Sequence, residues 1–156
     1  MAEGLAKKLL AERLKCHVED LVDSGVSVLS SGTWGIEGAC SAPEAVDVCK
    51  KRGINISNTR SRPLSVELAN RSDIIYAMTE RHREMVISLV PSAGQKTLLL
   101  DPTGEDIADP VGGPVKAYET CLGRLETLIE DRLDEMIEGL PPSQGDGPRQ
   151  NYREES

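Results

Sequence analysis

Short apolar runs alternate with amphipathic helical stretches along this chain, and that alternation limits the fold more than any other feature. Residues 2–16 read as a helix, because Leu5, Leu9, Leu10 and Leu14 form one apolar stripe with Lys and Arg opposite. Residues 26–29 are a short β-like run after Gly25. Ser41-Ala-Pro-Glu44 reads as a capping box, with Ser41 as N-cap of a helix that reaches Arg52 and stops at Gly53. Ala45, Val48 and Cys49 supply its buried face. Leu64 and Leu68 pin a short helix between them. Asp73-Ile-Ile-Tyr-Ala-Met78 is apolar enough for a strand covered on both faces. Thr79 can cap a helix over residues 80–90, which Pro91 ends. Residues 96–100 are the next strand. A last helix over residues 114–137 carries Tyr118, Leu122, Leu125, Ile129, Leu133 and Met136 on one side. Helices alternating with strands in this way argue for an α/β domain with a parallel sheet.

Composition removes several function classes. The 156 residues carry a net charge of −8, so phosphate backbones are repelled on average and nucleic acid is not an expected partner. No apolar run approaches the roughly 20 residues of a membrane span, so no membrane partner is expected. The N-terminal stretch is charged and has no secretory pattern, which predicts a cytoplasmic protein. The four cysteines, Cys16, Cys40, Cys49 and Cys121, show no Cys-x-x-Cys and no metal spacing with His17 or His82. They read as free thiols, and no metal is expected. Residues 139–156 turn to Pro, Gly, Ser, Gln and charge. We expect a domain over residues 1–138 and a disordered tail after it.

The chemistry-bearing stretch is Gly104-Glu-Asp-Ile-Ala-Asp-Pro-Val-Gly-Gly-Pro114. Its Gly and Pro residues make it a loop. Pro110 biases Asp109 towards extended backbone, so the carboxylate is held out of helix and aimed away from its neighbours. A carboxylate aimed from a rigid loop suits a general acid, although an ordinary acidic turn looks the same from sequence.

Read together, these segments resemble the low-molecular-weight protein tyrosine phosphatase family. Met1-Ala-Glu-Gly is similar to the helix that directly follows the family's phosphate loop. Ser30-Ser-Gly-Thr resembles its Ser-Ala-Gly-Thr stretch. Ala42-Pro-Glu-Ala-Val-Asp-Val-Cys-Lys-Lys-Arg-Gly-Ile resembles its second helix and exit. Ser61-Arg-Pro-Leu64 and Asp73-Ile-Ile-Tyr-Ala-Met-Thr-Glu-Arg-His82 resemble the next two segments. Asp106-Ile-Ala-Asp-Pro-Val-Gly-Gly113, with Tyr118, resembles the general-acid loop. Val111 follows Pro110 where phosphotyrosine-directed members often place an aromatic residue. In this the chain is similar to the bacterial branch that includes protein arginine phosphatases.

The resemblance implies a three-layer fold of the phosphotyrosine protein phosphatase I type, a parallel sheet flanked by helices. It implies a protein phosphatase that hydrolyses phosphotyrosine or phosphoarginine, or a small phosphomonoester, through a phosphocysteine and with no cofactor. Asp109 takes the role of general acid and base. The same resemblance implies that Trp34, Pro110 and Val111 contact substrate and that Ser30 supports the phosphate loop. The family signature, Cys-x-x-x-x-x-Arg, is not found: six residues beyond the cysteines stand Val22, Val46, Asn55 and Thr127. No nucleophile is therefore assigned. Cys16 falls in a helix without a Gly-rich cradle, Cys40 is the most exposed candidate, and Cys49 and Cys121 read as small core residues. His82 reads as a residue that caps or packs its helix.

The signature follows the first, central strand of the family sheet, and that strand too is expected to be missing. The sheet is then expected to hold three strands with a gap. Buried backbone groups left unpaired at the gap would cost roughly 1–3 kcal/mol each. A misassigned start, a fragment of a longer polypeptide or a decaying gene would each account for this, the first two being preferred. The chain as given is expected to be inactive, and a pseudophosphatase binding module is the alternative.

Overall fold

A computed structural model describes residues 1–138, and the tail expected over 139–156 lies outside the described residues. Helix α1 spans Ala2–Leu14. It stops where Lys15 turns left-handed at φ 55. Helix α2 is Pro43–Lys51, and Gly53 beyond it takes φ 72, the left-handed turn that favours glycine. Helix α3 is Val66–Arg71, capped by the Ser65 hydroxyl, which accepts from the Leu68 N–H. Strand β1 is Ile75–Ala77. The Thr79 hydroxyl accepts from the His82 N–H and starts helix α4, Glu80–Leu89, as the sequence predicts. A 3₁₀ turn over Pro91–Lys96 leads to strand β2, Thr97–Leu99. Helix α5, Val115–Glu138, is the longest element.

Strands β1 and β2 run parallel, with Ile75 opposite Thr97, Tyr76 opposite Leu98 and Ala77 opposite Leu99. Successive side chains of a strand point to opposite faces. Tyr76 and Met78 accordingly join the larger core, with Leu5, Leu9 and Leu10 of α1, Val48 and Cys49 of α2, and Leu122, Leu125 and Ile129 of α5. Ile75 joins a smaller core with Ala69, Val86, Val90 and Ala93. Helices thus cover both faces of a parallel sheet, the three-layer α/β arrangement expected. Each Leu or Ile so buried contributes about 1.5–3 kcal/mol. Arg13 and Arg52 also pair with Asp134 and Glu126 of α5, fastening α1 and α2 to its outer side. No helix among the described residues is long and apolar enough to cross a membrane.

Two local expectations are corrected. Residues 26–29 do not form a strand, so the described sheet has two strands rather than three. A strand needs a ladder partner. Here the Val26 N–H closes a turn onto the Leu21 carbonyl, and the Ser30 N–H donates to the Glu3 carboxylate. Val26 and Val28 still pack into the larger core. Nor does Ser41 cap α2. Pro43 is at the first helical turn, Ala42 is the cap, and the Ser41 hydroxyl turns instead to the Ile56 carbonyl, 3.4 Å away.

Candidate active site

The loop from Asp101 to Pro114 is fastened at its start. Asp101 is 6% exposed. Its Oδ1 accepts from the Thr103 N–H at 2.8 Å and the Thr103 hydroxyl at 2.7 Å. Its Oδ2 accepts from Arg124 Nη2 at 2.8 Å. These bonds, Thr103 first and Arg124 next, hold the Asp101 carboxyl down at about 2. Arg124 also donates to the Asp106 carbonyl at 3.2 Å and to the Glu105 carboxylate at 3.4 Å, so one side chain of α5 grips the loop at three residues.

Two further bonds fix the middle of the loop. The Asp106 carboxylate accepts from the Glu80 N–H at 2.9 Å, at the start of α4. The Ile107 N–H donates to the Met78 carbonyl at 2.9 Å, just past β1, and Ile107 is buried. Asp109 follows two residues later, at the carboxyl end of the sheet, where open α/β folds place their ligand sites. Its Oδ1 accepts from the Val111 N–H at 3.0 Å, which orients the carboxylate in the turn that Pro110 begins. Gly113 then donates back to the Pro110 carbonyl at 2.9 Å. A Cβ on Gly113 would lie 3.0 Å from that carbonyl oxygen and 3.2 Å from Ala117 Cβ, so a side chain there would crowd the turn against α5.

Asp109 and Pro110 line an open hollow of about 450 Å³ between this loop and α5, with Lys116, Thr120, Cys121 and Arg124 on the opposite wall. The other residues singled out in the sequence lie elsewhere. Val111 is 73% exposed and Trp34 is 78% exposed, and neither lines the hollow. Ser30 donates through both its N–H (2.9 Å) and its hydroxyl (2.6 Å) to Glu3 Oε2 in the first turn of α1. Burial pushes the Glu3 carboxyl up, but the bonds from Lys7 and Ser30 outweigh it and leave the group below its ordinary value. Arg124 was not singled out by sequence. Its role depends on Asp101, 23 positions away, and no local pattern signals that pairing.

The cysteines do not supply an obvious nucleophile. Burial pushes up the thiol of Cys49, and burial followed by the Asp109 carboxylate pushes up that of Cys121. Cys40 is exposed, and Cys16 is half-buried at the end of α1. The geometry therefore offers an oriented carboxylate beside an open hollow, with two cations on the far wall.

Residues 1–140 match the sequence model of the family described as low molecular weight phosphotyrosine protein phosphatase. A protein-arginine-phosphatase of Geobacillus stearothermophilus is 38% identical over 118 residues, covering 73% of this chain and 78% of that protein. The low molecular weight protein-tyrosine-phosphatase Etp of Escherichia coli K12 is 30% identical over 129 residues, 81% of either chain. Among solved structures, the low molecular weight protein tyrosine phosphatase from T. tengcongensis superposes with a TM-score of 0.75 at 27% identity, covering 86% of this chain and 88% of the other. From the match along its length and the shared three-layer fold, the chain belongs to the low molecular weight phosphotyrosine protein phosphatase family.

Proposed function

We propose that this domain serves dephosphorylation of proteins at phosphotyrosine or phosphoarginine, with Asp109 as general acid and then general base. In the first step a thiolate attacks phosphorus, the bond from phosphorus to the leaving atom breaks, and the Asp109 proton goes to that atom. In the second step water attacks phosphorus, Asp109 takes its proton, the sulfur–phosphorus bond breaks to return the thiolate, and inorganic phosphate is released. The observation that carries this reading is the exposed, oriented Asp109 on a loop fixed by Asp101, Asp106 and Ile107. Pro110, Val111 and Trp34 would contact the substrate around it, and Ser30 would support the phosphate cradle through Glu3.

These 156 residues hold no Cys-x-x-x-x-x-Arg, and an acid alone can neither attack phosphorus nor bind it. Turnover on this reading needs a phosphate loop and thiolate in addition to them. The missing motif favours a second reading, a pseudophosphatase module that keeps the pocket walls and binds a phosphorylated protein without hydrolysing it.

The test is hydrolysis of p-nitrophenyl phosphate and of a phosphoarginine peptide. Residues 1–156 alone should give no turnover above background. A protein with a strand and a Cys-x-x-x-x-x-Arg loop joined ahead of Met1 should turn over. Turnover by residues 1–156 alone would overturn the assignment. Folding without turnover in the extended protein would favour the binding module.

A further inference from the structure

A second hollow, of about 390 Å³, lies beside α1 and shares no lining residue with the first. Lys7, Arg60 and Arg62 line it, with Asn55, Asn58 and Thr59. Its one acid, Glu3, is already engaged by Lys7 at 2.6 Å and by Ser30. Arg60 and Arg62 form no ion pair among the described residues. Arg60 Nη1 donates to the Ser57 carbonyl at 2.9 Å and the Thr59 carbonyl at 3.2 Å, which braces the guanidinium and leaves its other nitrogens free. On a chain of net charge −8, two unpaired arginines in one concavity are a local reversal of sign.

The same backbone that carries these arginines holds the most exposed large apolar side chains of the described residues. The Gly32 N–H donates to the Arg62 carbonyl at 2.8 Å, and the Leu64 N–H donates to the Gly32 carbonyl at 3.0 Å. Gly38 N–H donates to the Ser61 carbonyl, and Ser61 N–H to the Ala39 carbonyl, both at 2.9 Å. A Cβ at Gly35 would lie 3.6 Å from the Arg62 carbonyl oxygen. The loop between these bonds is thereby stitched to residues 60–64, and it presents Trp34 and Ile36, each 78% exposed. A large aromatic held out from a braced loop costs little ordering when it meets a partner.

From this juxtaposition we infer that the Lys7–Arg60–Arg62 hollow, with Trp34 and Ile36 at its side, docks an acidic peptide segment of the protein substrate. Carboxylates of the segment enter the hollow and take the free guanidinium edges, while Asn58 and Thr59 offer neutral donors. An apolar side chain of the same segment rests on Trp34 and Ile36. The inference rests on the phosphatase reading only in naming the docked segment as substrate. The hollow would select acidic surroundings of the phosphorylated residue rather than the residue itself.

Trp34 is the single tryptophan of the chain, on the loop whose backbone is bonded to residues 61–64, and serves as an optical probe beside the hollow. Its fluorescence is followed while an unphosphorylated hexaglutamate peptide is added at 50 mM salt, and calorimetry gives the affinity independently. Saturable binding is expected, with none for hexalysine. Arg60→Gln with Arg62→Gln should weaken it about tenfold or more, with unchanged circular dichroism. Raising salt to 500 mM should weaken it as well, because the contacts are solvent-accessible. Lys7→Gln gives a second variant should the double one fold poorly. No saturable binding, or equal affinity in folded variants, would overturn the inference. So would inorganic phosphate binding as tightly as the peptide, which would make the hollow a site for free oxyanions. The peptide titration involves no phosphoryl transfer, so it can fail while hydrolysis by the extended protein stands, or succeed where hydrolysis fails.

Discussion

Arg124 reaches from α5 to Asp101 across 2.8 Å, and through this pair the longest helix holds the start of the loop that carries Asp109. The Asp101 carboxylate is almost fully enclosed, and Thr103 takes its second oxygen. Loop position and acid stability are therefore linked through one residue.

That link gives a pH dependence with a definite sign. The folded Asp101 carboxyl titrates at about 2, below its ordinary 3.8. A lowered carboxyl contributes stability above its unfolded value and loses it as pH falls towards the folded one. We predict that urea unfolding midpoints drop between pH 4 and pH 2, and that Asp101→Asn, less stable at pH 7, loses part of that dependence. An identical acid limb in the variant would show that Asp101 does not set the acid limb.

Gly4 lies in α1 where a Cβ would come within 2.8 Å of the Cγ2 atoms of both Ile54 and Ile56. Glycine is otherwise a weak helix residue, so its presence here reflects space. Gly4→Val should destabilise by about 1–3 kcal/mol through overpacking, read from chemical denaturation. A neutral or stabilising result would mean that Ile54 and Ile56 move aside freely.

Leu122 is 1% exposed at the centre of the α5 face. Leu122→Ala should cost about 2–5 kcal/mol, since both the buried methyl groups and their cavity count against the fold. A loss below 1 kcal/mol would show that α1 and α2 close over the gap.

Thiol labelling should rank the cysteines by burial and charge. Cys40 is exposed and should react with a disulfide reagent in the native state. Cys49 is fully buried with its thiol pushed up, and should react only as the fold opens. Fast native labelling of Cys49 would contradict the packing of α2.

Much of the fold was legible because its signals are local. Thr79 before a polar-apolar helix, Gly53 after α2 and the 3.6-residue spacing from Tyr118 to Leu133 each act within a few positions. The failures were also physical. Ser41 carries the right side chain for a cap, but Pro43 begins the helix after Ala42, and the hydroxyl goes to Ile56. Residues 26–29 have strand composition, yet a strand exists only with a partner. At the site, Asp109-Pro110 could be read directly from the loop sequence. The grip of Arg124 on Asp101 and the meeting of Lys7 with Arg60 and Arg62 could not, because the fold alone brings those residues together.

The proposed chemistry turns on Asp109 as the general acid. It is tested most directly in a protein with a strand and Cys-x-x-x-x-x-Arg loop joined ahead of residues 1–156. Hydrolysis is measured for aryl phosphates of graded leaving-group pKa, with Asp109 and with Asp109→Asn. We predict a rate loss of roughly 10²–10⁴ for poor leaving groups that shrinks steadily as the leaving group improves, because a good leaving group needs less protonation. An equal loss across the series, or no loss at all, would contradict the assignment.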